Sequence, residues 1–465
     1  MQPQHSQRNL SRRRFLSASL CAGGAGLALG DILRLRALGA EQGRAAPDTS
    51  VIQIWLGGGP SQFETFDPKP LAPVEIRGPY RAIQSKLPGA LVCEMMPLTA
   101  GVLDKTALIR SFTHPYDDHF GVMRWCLEGR KEPDKSNAYP SVGSIASRFR
   151  GPRQAGMPPY VMLSEEPVLH HHLMDAMGPG YLGVAHSPFA VLQDPYPFEF
   201  QLDRLRAATS SLELANDVTL DRITQRKALL SELDRLPRRL ASQQAQDGLD
   251  PFASLALELV TSAKARRAFD LDEESAATRQ RYGAHRWGQM ALLARRLVES
   301  GVTFVTLNTA PDCLRWDWHV SITKENREQP SPGGPNVGME WSGPPLDRAL
   351  SALITDLSER EACRNVLLVV WGEFGRSPKI NPSGGREHWP RLGSVLMASG
   401  GMKMGQIIGK SSPDGGIPTD RPIGPSDVLA TLYKHLGIDP NQNAVKLQGR
   451  PIPLLPDGQP IDELF

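Results

Sequence analysis

The sequence predicts an α/β fold, a mostly parallel sheet sandwiched by helices, with a helical insertion. Two observations predict it. Short apolar or β-branched runs recur along the chain, and between them lie stretches whose apolar residues return at three- and four-residue steps. Strands that alternate with helices in this way form a parallel sheet covered on both faces. With 465 residues, 40% hydrophobic and 22% charged, the chain can bury a substantial core, which excludes disorder for most of it. A formal net charge of +2 excludes a global field for holding nucleic acid. The 43 glycines and 40 prolines point to long, shaped loops on a compact scaffold.

The first element is a leader over residues 1–45. Ser11-Arg12-Arg13-Arg14-Phe15-Leu16 opens an apolar or small run, 17–30, too short to span a bilayer with its flanks. The cationic start, the Phe-Leu after it and a hydrophobicity diluted by Gly23, Gly24 and Gly26 look like a twin-arginine export signal. Cleavage is expected near Ala37-Leu38-Gly39 or Gly39-Ala40, with an uncleaved anchor as the alternative. The expected partner is the twin-arginine translocation machinery and the expected location the periplasm, with no stable membrane span after cleavage. That route carries proteins already folded in the cytoplasm, which suits one loaded with a metal or cofactor.

Residues 46–465 follow as one domain. Buried strands are expected at 51–56, 107–110, 160–163, 302–307, 366–371 and 394–397. Helices are expected at 220–243, 251–269, 285–299, 345–360 and 426–436, with Pro237 kinking the first and Pro425-Ser426 starting the last. The stretch around 200–300 is charge-dense and lacks strand runs, as a helical insertion or cap would. Five cysteines, at 21, 93, 126, 313 and 363, show no zinc-binding spacing. The last four form either two disulfides or four buried thiols.

In an open parallel sheet the loops leaving the carboxyl ends of the strands converge on one crevice. Five polar clusters fall there. Gly57-Gly58-Gly59-Pro60-Ser61-Gln62-Phe63-Glu64-Thr65-Phe66-Asp67-Pro68-Lys69 offers glycines for close backbone approach, then acids and hydroxyls able to hold a metal or supply a nucleophile. A turn with a helix cap at Ser61 is the alternative. His114-Pro115-Tyr116-Asp117-Asp118-His119 presents oxygen and nitrogen ligands suited to zinc, manganese or calcium, or else a solvated turn with a helix cap. In Trp316-Asp317-Trp318-His319 the Asp and His sit two apart and face one side of an extended segment, which suits a shared ion; a packed aromatic loop with the two bonded to each other is the alternative. Gly372-Glu373-Phe374-Gly375-Arg376 and Gly385-Arg386-Glu387-His388-Trp389 place two carboxylates, two guanidinium groups and an imidazole soon after a buried strand. Arginine suits bidentate recognition of phosphate, sulfate or carboxylate, and a salt-bridged loop in which Arg376 or Arg386 holds Glu373 or Glu387 is the alternative. His170-His171-His172 reads as a solvated turn.

Together with Arg77-Gly78-Pro79, these segments resemble domain-of-unknown-function family 1501, which is grouped with the alkaline-phosphatase-like and sulfatase-like superfamily. The similarity covers nearly the whole chain after the leader. It implies an alkaline-phosphatase-like sheet and one or two divalent ions, zinc, manganese or calcium. In chain order it implies metal ligands at Glu64 or Asp67, at Asp317 and His319, at Glu373 and at His388. Arg376 or Arg386 would hold a tetrahedral anion, and Ser61 or Thr65 would attack, with a water activated by the metal as the alternative. The sequence departs from the family pattern at Gln62, Glu64, Trp318, Val320 and Glu387, where members read His, Asp, Thr, Gly and Asp. Glu for Asp lengthens the side chain by one methylene, enough to move an oxygen beyond the roughly ±0.2 Å tolerance of a coordination shell. No Cys-x-Pro-x-Arg is present, which argues against formylglycine chemistry. The function these features imply is an exported metal-dependent hydrolase acting on an anionic phosphate or sulfate ester; a binding protein that keeps the fold without turnover is the alternative.

Overall fold

The structure is a computed structural model that describes residues 48–131, 139–165, 175–193, 262–309, 315–322, 326–331, 334–336, 338–441, 443–447 and 450–465, with the single positions 203, 205 and 209. The leader, the predicted helix at 220–243, most of that at 251–269, the triplet His170-His171-His172 and Cys313 lie outside the described residues.

Eight strands build the central sheet among the described residues: β1 (Ser50–Trp55), β2 (Thr106–Phe112), β3 (Tyr160–Glu165), β4 (Phe189–Gln193), β5 (Phe304–Asn308), β6 (Val366–Trp371), β7 (Gly393–Ser399) and β8 (Gln406–Ile408). Their order is β8-β2-β7-β6-β1-β5-β3-β4. Only β7 runs against the rest: it pairs antiparallel with β6 and β2, and every other pairing in this sheet is parallel. The α/β class read from the sequence is therefore the observed one.

Period-two alternation sorts the strand side chains onto two faces. Ile52, Ile54, Val305, Leu307, Leu368 and Val370 enter one apolar core, and Val51, Trp55, Phe304, Leu367, Val369 and Trp371 enter the other. Because both faces are covered, β1 and β6 read as nearly continuous apolar runs. Helices α3 (Arg286–Glu299) and α4 (Met339–Glu359) cover the first face with Met290, Leu293, Leu350 and Leu353. Helices α1 (His119–Glu128), α2 (Val142–Arg150) and α5 (Pro425–Leu436) cover the second with Val122, Ile145 and Leu432. At roughly 1.5–3 kcal/mol per fully buried aliphatic or aromatic side chain, these two layers supply the main drive to fold.

Three expectations need adjustment. Helix α4 starts at Met339, before the predicted 345, and carries Pro344 and Pro345 inside it. Proline lacks an N–H and so reads as a helix start, but here an earlier turn supplies the nucleus and burial of the later turns outweighs the lost bonds. Residues 286–299, within the stretch read as an insertion, belong to the sandwich itself, since α3 lies in the core against β1 and β5. Cys93, Cys126 and Cys363 are free and buried, so for these three the thiol alternative is the one observed. Among the described residues no helix is long and apolar enough to cross a membrane.

Candidate metal centre

The carboxyl ends of β1, β2, β5 and β6 share one edge of the sheet, and the reversed β7 enters at that same edge. Four loops therefore meet there. The loop after β2 carries His114 and delivers His119 as the first residue of α1, whose N-terminus is capped by Asp118 accepting from the Gly121 N–H at 2.6 Å. The chain beyond β5 brings Asp317 and His319, with Trp316 and Trp318 buried behind them. Glu373 stands two residues past the end of β6. A two-stranded ribbon then pairs Gly375–Arg376 with His388–Trp389 and returns His388 to the strand ends. The ribbon needs glycine: a Cβ at Gly375 would lie 2.1 Å from the Leu392 carbonyl oxygen, and one at Gly385 2.1 Å from the His319 carbonyl.

His119, Asp317 and His388 present ligand atoms within 4.8 Å of one another. His119 Nε2 lies 3.4 Å from Asp317 Oδ2, and His388 Nε2 3.2 Å from Asp317 Oδ1. His319 lies at the edge of this group, its Nε2 2.9 Å from both Asp317 Oδ1 and His388 Nε2. Phe374 walls one side, with ring centroids 4.9 Å from His119 and 4.7 Å from His388.

The partners of the other ring nitrogens assign the tautomers. His119 Nδ1 faces Glu373 Oε1 at 2.7 Å, His388 Nδ1 faces the Asp117 carbonyl at 2.9 Å, and His319 Nδ1 faces Glu387 Oε2 at 2.9 Å. Each acceptor fixes the proton on Nδ1 and leaves the Nε2 lone pair directed at Asp317. Three lone pairs and a carboxylate crowded together repel unless a metal cation, or added protons, lie among them. Two buried atoms, His119 Nε2 and Glu373 Oε2, also lack a hydrogen-bond partner. The donor set therefore fits a divalent metal, and the carboxylate and carbonyl groups behind the imidazoles are those that orient metal-bound histidines.

The electrostatics show the same demand for positive charge. Burial would raise the Asp317 carboxyl, but the Arg376 guanidinium, joined by His119, His319 and His388 when these carry a proton on Nε2, holds it far below the usual carboxylate range. Burial would lower the His119 imidazole, but where no cation shares the site the flanking Asp317 and Glu373 carboxylates overcome this and raise it to about 9, so that a proton on Nε2 takes the place a metal would fill. Burial prevails at His114, whose Nε2 lies 2.6 Å from the Glu373 carbonyl oxygen and which is pushed down to about 4.

The profile of the family described as "Protein of unknown function (DUF1501)" matches residues 48–465. The chain belongs to this family. No curated protein matches it. Similar solved structures include the lipoteichoic acid synthase of Listeria monocytogenes, at 11% identity and TM-score 0.39, with 89% of this chain and 76% of that one covered. A phosphonate monoester hydrolase from Silicibacter pomeroyi is similar at 12% identity and TM-score 0.36, covering 89% and 78%. A sulfatase from Pseudoalteromonas sp. is similar at 12% identity and TM-score 0.37, covering 88% and 70%.

Of the residues that the DUF1501 motifs point to, Asp317, His319 and His388 meet in the cluster. Glu373 stands behind it, holding His119 and accepting from the Gly58 N–H at 2.8 Å. Glu64 and Asp67 are placed elsewhere, which corrects their expected role as ligands. Glu64 is buried against Arg386, whose Nε and Nη2 donate to it at 3.0 and 2.8 Å. Asp67 accepts from Lys69 at 2.9 Å and Ser411 at 2.5 Å, with Arg110 at 3.4 Å. The two arginines are likewise corrected as free anion holders. Arg386 also donates to the Ile76, Ser377 and Pro378 carbonyls, and Arg376 to those of Gly58, Gly59 and Arg386 and to Asp317 Oδ1 at 2.5 Å. Ser61 and Thr65 are buried as well: Ser61 Oγ donates to Glu64, and Thr65 Oγ1 donates to the Ser61 carbonyl at 2.6 Å. Their hydroxyls hold the loop rather than face solvent as a nucleophile would.

The departures from the family pattern find uses. Gln62 clips the ribbon through Arg376 N and O, each at 2.8 Å, and Glu387 reaches His319 with the help of Asn381, which donates to it at 2.7 Å. The residue absent from the resemblance-based ligand set is His119. Its signal was the imidazole and carboxylate cluster after β2, in which Asp118 is the cap and His119 the metal-facing group.

Proposed function

We propose that this DUF1501 protein is an exported, metal-dependent hydrolase of phosphate or sulfate esters. The observation that supports this reading is the convergence of the His119, His319 and His388 Nε2 atoms on the Asp317 carboxylate, at the sheet edge where α/β enzymes gather their chemistry. A divalent ion held there supplies Lewis acidity toward an ester oxygen. The chain's own residues do the rest. Asp317 remains ionised beside Arg376, Glu373 and Glu387 orient His119 and His319, and Trp316 and Trp318 exclude water from behind the loop. Delivery to the periplasm by the twin-arginine machinery rests on the leader sequence.

A non-catalytic periplasmic or surface binding protein is the second reading, and the burial of Ser61 and Thr65 favours it. Metal content separates the two. Protein purified without chelator should carry a stoichiometric divalent ion that a His119→Ala/His388→Ala double variant loses while staying folded. Wild type carrying the ion should release product from a panel of phosphate and sulfate esters. Folded wild type that takes up no zinc, manganese or calcium on addition sinks the hydrolase reading.

A further inference from the structure

We propose that the centre takes a single ion of the imidazole-preferring transition-metal class, with zinc as the reference case, and that Arg376 is a positioning residue standing in for a second cation. This rests on the metal-dependent reading above and narrows it.

The ion class follows from the donors. Two imidazole nitrogens and one carboxylate, with the His319 imidazole beside them, suit zinc and its neighbours, whereas calcium and magnesium take shells built almost wholly of oxygen. The number follows from the acids. Paired-ion sites hold their metals roughly 3.5–4 Å apart, and two divalent charges in one buried site call for carboxylates to neutralise and share them. Here Asp317 Oδ1 already receives the Arg376 guanidinium at 2.5 Å. Glu373 Oε1 is committed to His119 and the Gly58 N–H, which leaves its Oε2 as a single open oxygen, too little to neutralise a second ion, and Glu387 is committed to His319 and Asn381. Glu64 and Asp67, the acids of the loop after β1, are neutralised by Arg386 and by Lys69 with Arg110.

Arg376 is suited to replace an ion. Its side chain is wholly buried, and the Gly58, Gly59 and Arg386 carbonyls fix its other N–H groups, so the charge beside Asp317 is permanent and cannot swing away. Guanidinium does not deprotonate in proteins, so this fixed charge persists at any pH the fold survives. A fixed positive charge and an arriving cation compete for one carboxylate, which gives Arg376 a thermodynamic signature distinct from mere scaffolding.

The test strips the full chain with chelator, titrates zinc calorimetrically and counts bound zinc by native mass spectrometry. One zinc per chain is expected, with calcium alone leaving none bound. Two zincs per chain overturn the single-ion inference and leave the metal reading intact, whereas no zinc at all overturns the reading it rests on. Tight, stoichiometric calcium would overturn the ion class. In Arg376→Gln, verified as folded by circular dichroism, zinc should bind about tenfold more tightly or better, since a repelling charge has gone. Scaffold damage predicts the opposite, so equal or weaker binding by folded variant overturns the counter-charge role. Should that variant fail to fold, Arg376→Lys keeps the charge: one zinc at near wild-type affinity supports the inference, and two zincs overturn it.

Discussion

Glu64 and Arg386 show how a residue's role can escape its local sequence. Both are charged residues beside strand ends, and local spacing suggested Glu373 or Glu387 as the arginine's partner. The observed pair is 322 positions apart in sequence, and no local pattern can report such a contact. The same holds for Arg376 and Asp317, 59 apart. Asp317, His319 and His388 were legible because each sits in a compact motif of metal-ligand residue types. His119 was legible only as one member of a mixed cluster. Two outcomes follow at this scale. Arg386→Met leaves the Glu64 carboxylate buried without its partner and should cost about 3–5 kcal/mol in chemical denaturation; adding Glu64→Gln should recover part of that loss. Glu373→Gln keeps shape but weakens the acceptor behind His119, and should lower zinc affinity about 10–100-fold by calorimetry with the melting transition little changed.

Among the elements, β1 and β6 were the plainest, because strands buried on both faces carry nearly unbroken apolar runs. Strands β4 and β8 went unread, being short and at the sheet edges where packing demands less of the sequence. Helix α2 also lacked a long apolar stripe; what marks it is its cap, Ser141, whose Oγ accepts from the Ser144 N–H at 3.2 Å. Ser141→Ala should cost about 1 kcal/mol in thermal unfolding. The ribbon that carries His388 leaves no pattern of its own, since each of its strands has two residues. Its position depends on close approach at Gly385. Gly385→Ala should push the ribbon away from the His319 backbone and lower metal affinity at least about tenfold by calorimetry, a loss of about 1.4 kcal/mol, while far-ultraviolet circular dichroism stays unchanged.

The whole molecule should respond to acid through histidines remote from the metal ligands. Burial pushes the His285 and His435 imidazoles down to about 4 from an ordinary 6.5. Each is neutral when folded and takes up a proton more readily when unfolded. The stability they contribute is therefore complete above pH 6.5 and is lost progressively as pH falls toward 4, on the order of 3 kcal/mol apiece. Melting temperatures across pH 4–7 should fall on the acid side, and His435→Gln should flatten that slope if its amide keeps the contact to the Ser50 carbonyl, 3.0 Å from the imidazole. The reversed strand β7 bears on a different matter, the inheritance of the site. Because β6 and β7 are hydrogen-bonded neighbours, residues 372–392 leave and re-enter the sheet at adjoining points. Recombination can thus exchange that excursion between relatives as one cassette, without re-threading the chain. Glu373, Arg376, Arg386 and His388 travel together, whereas His119, Asp317 and His319 belong to the host. A transplanted cassette functions only where the host already supplies all three.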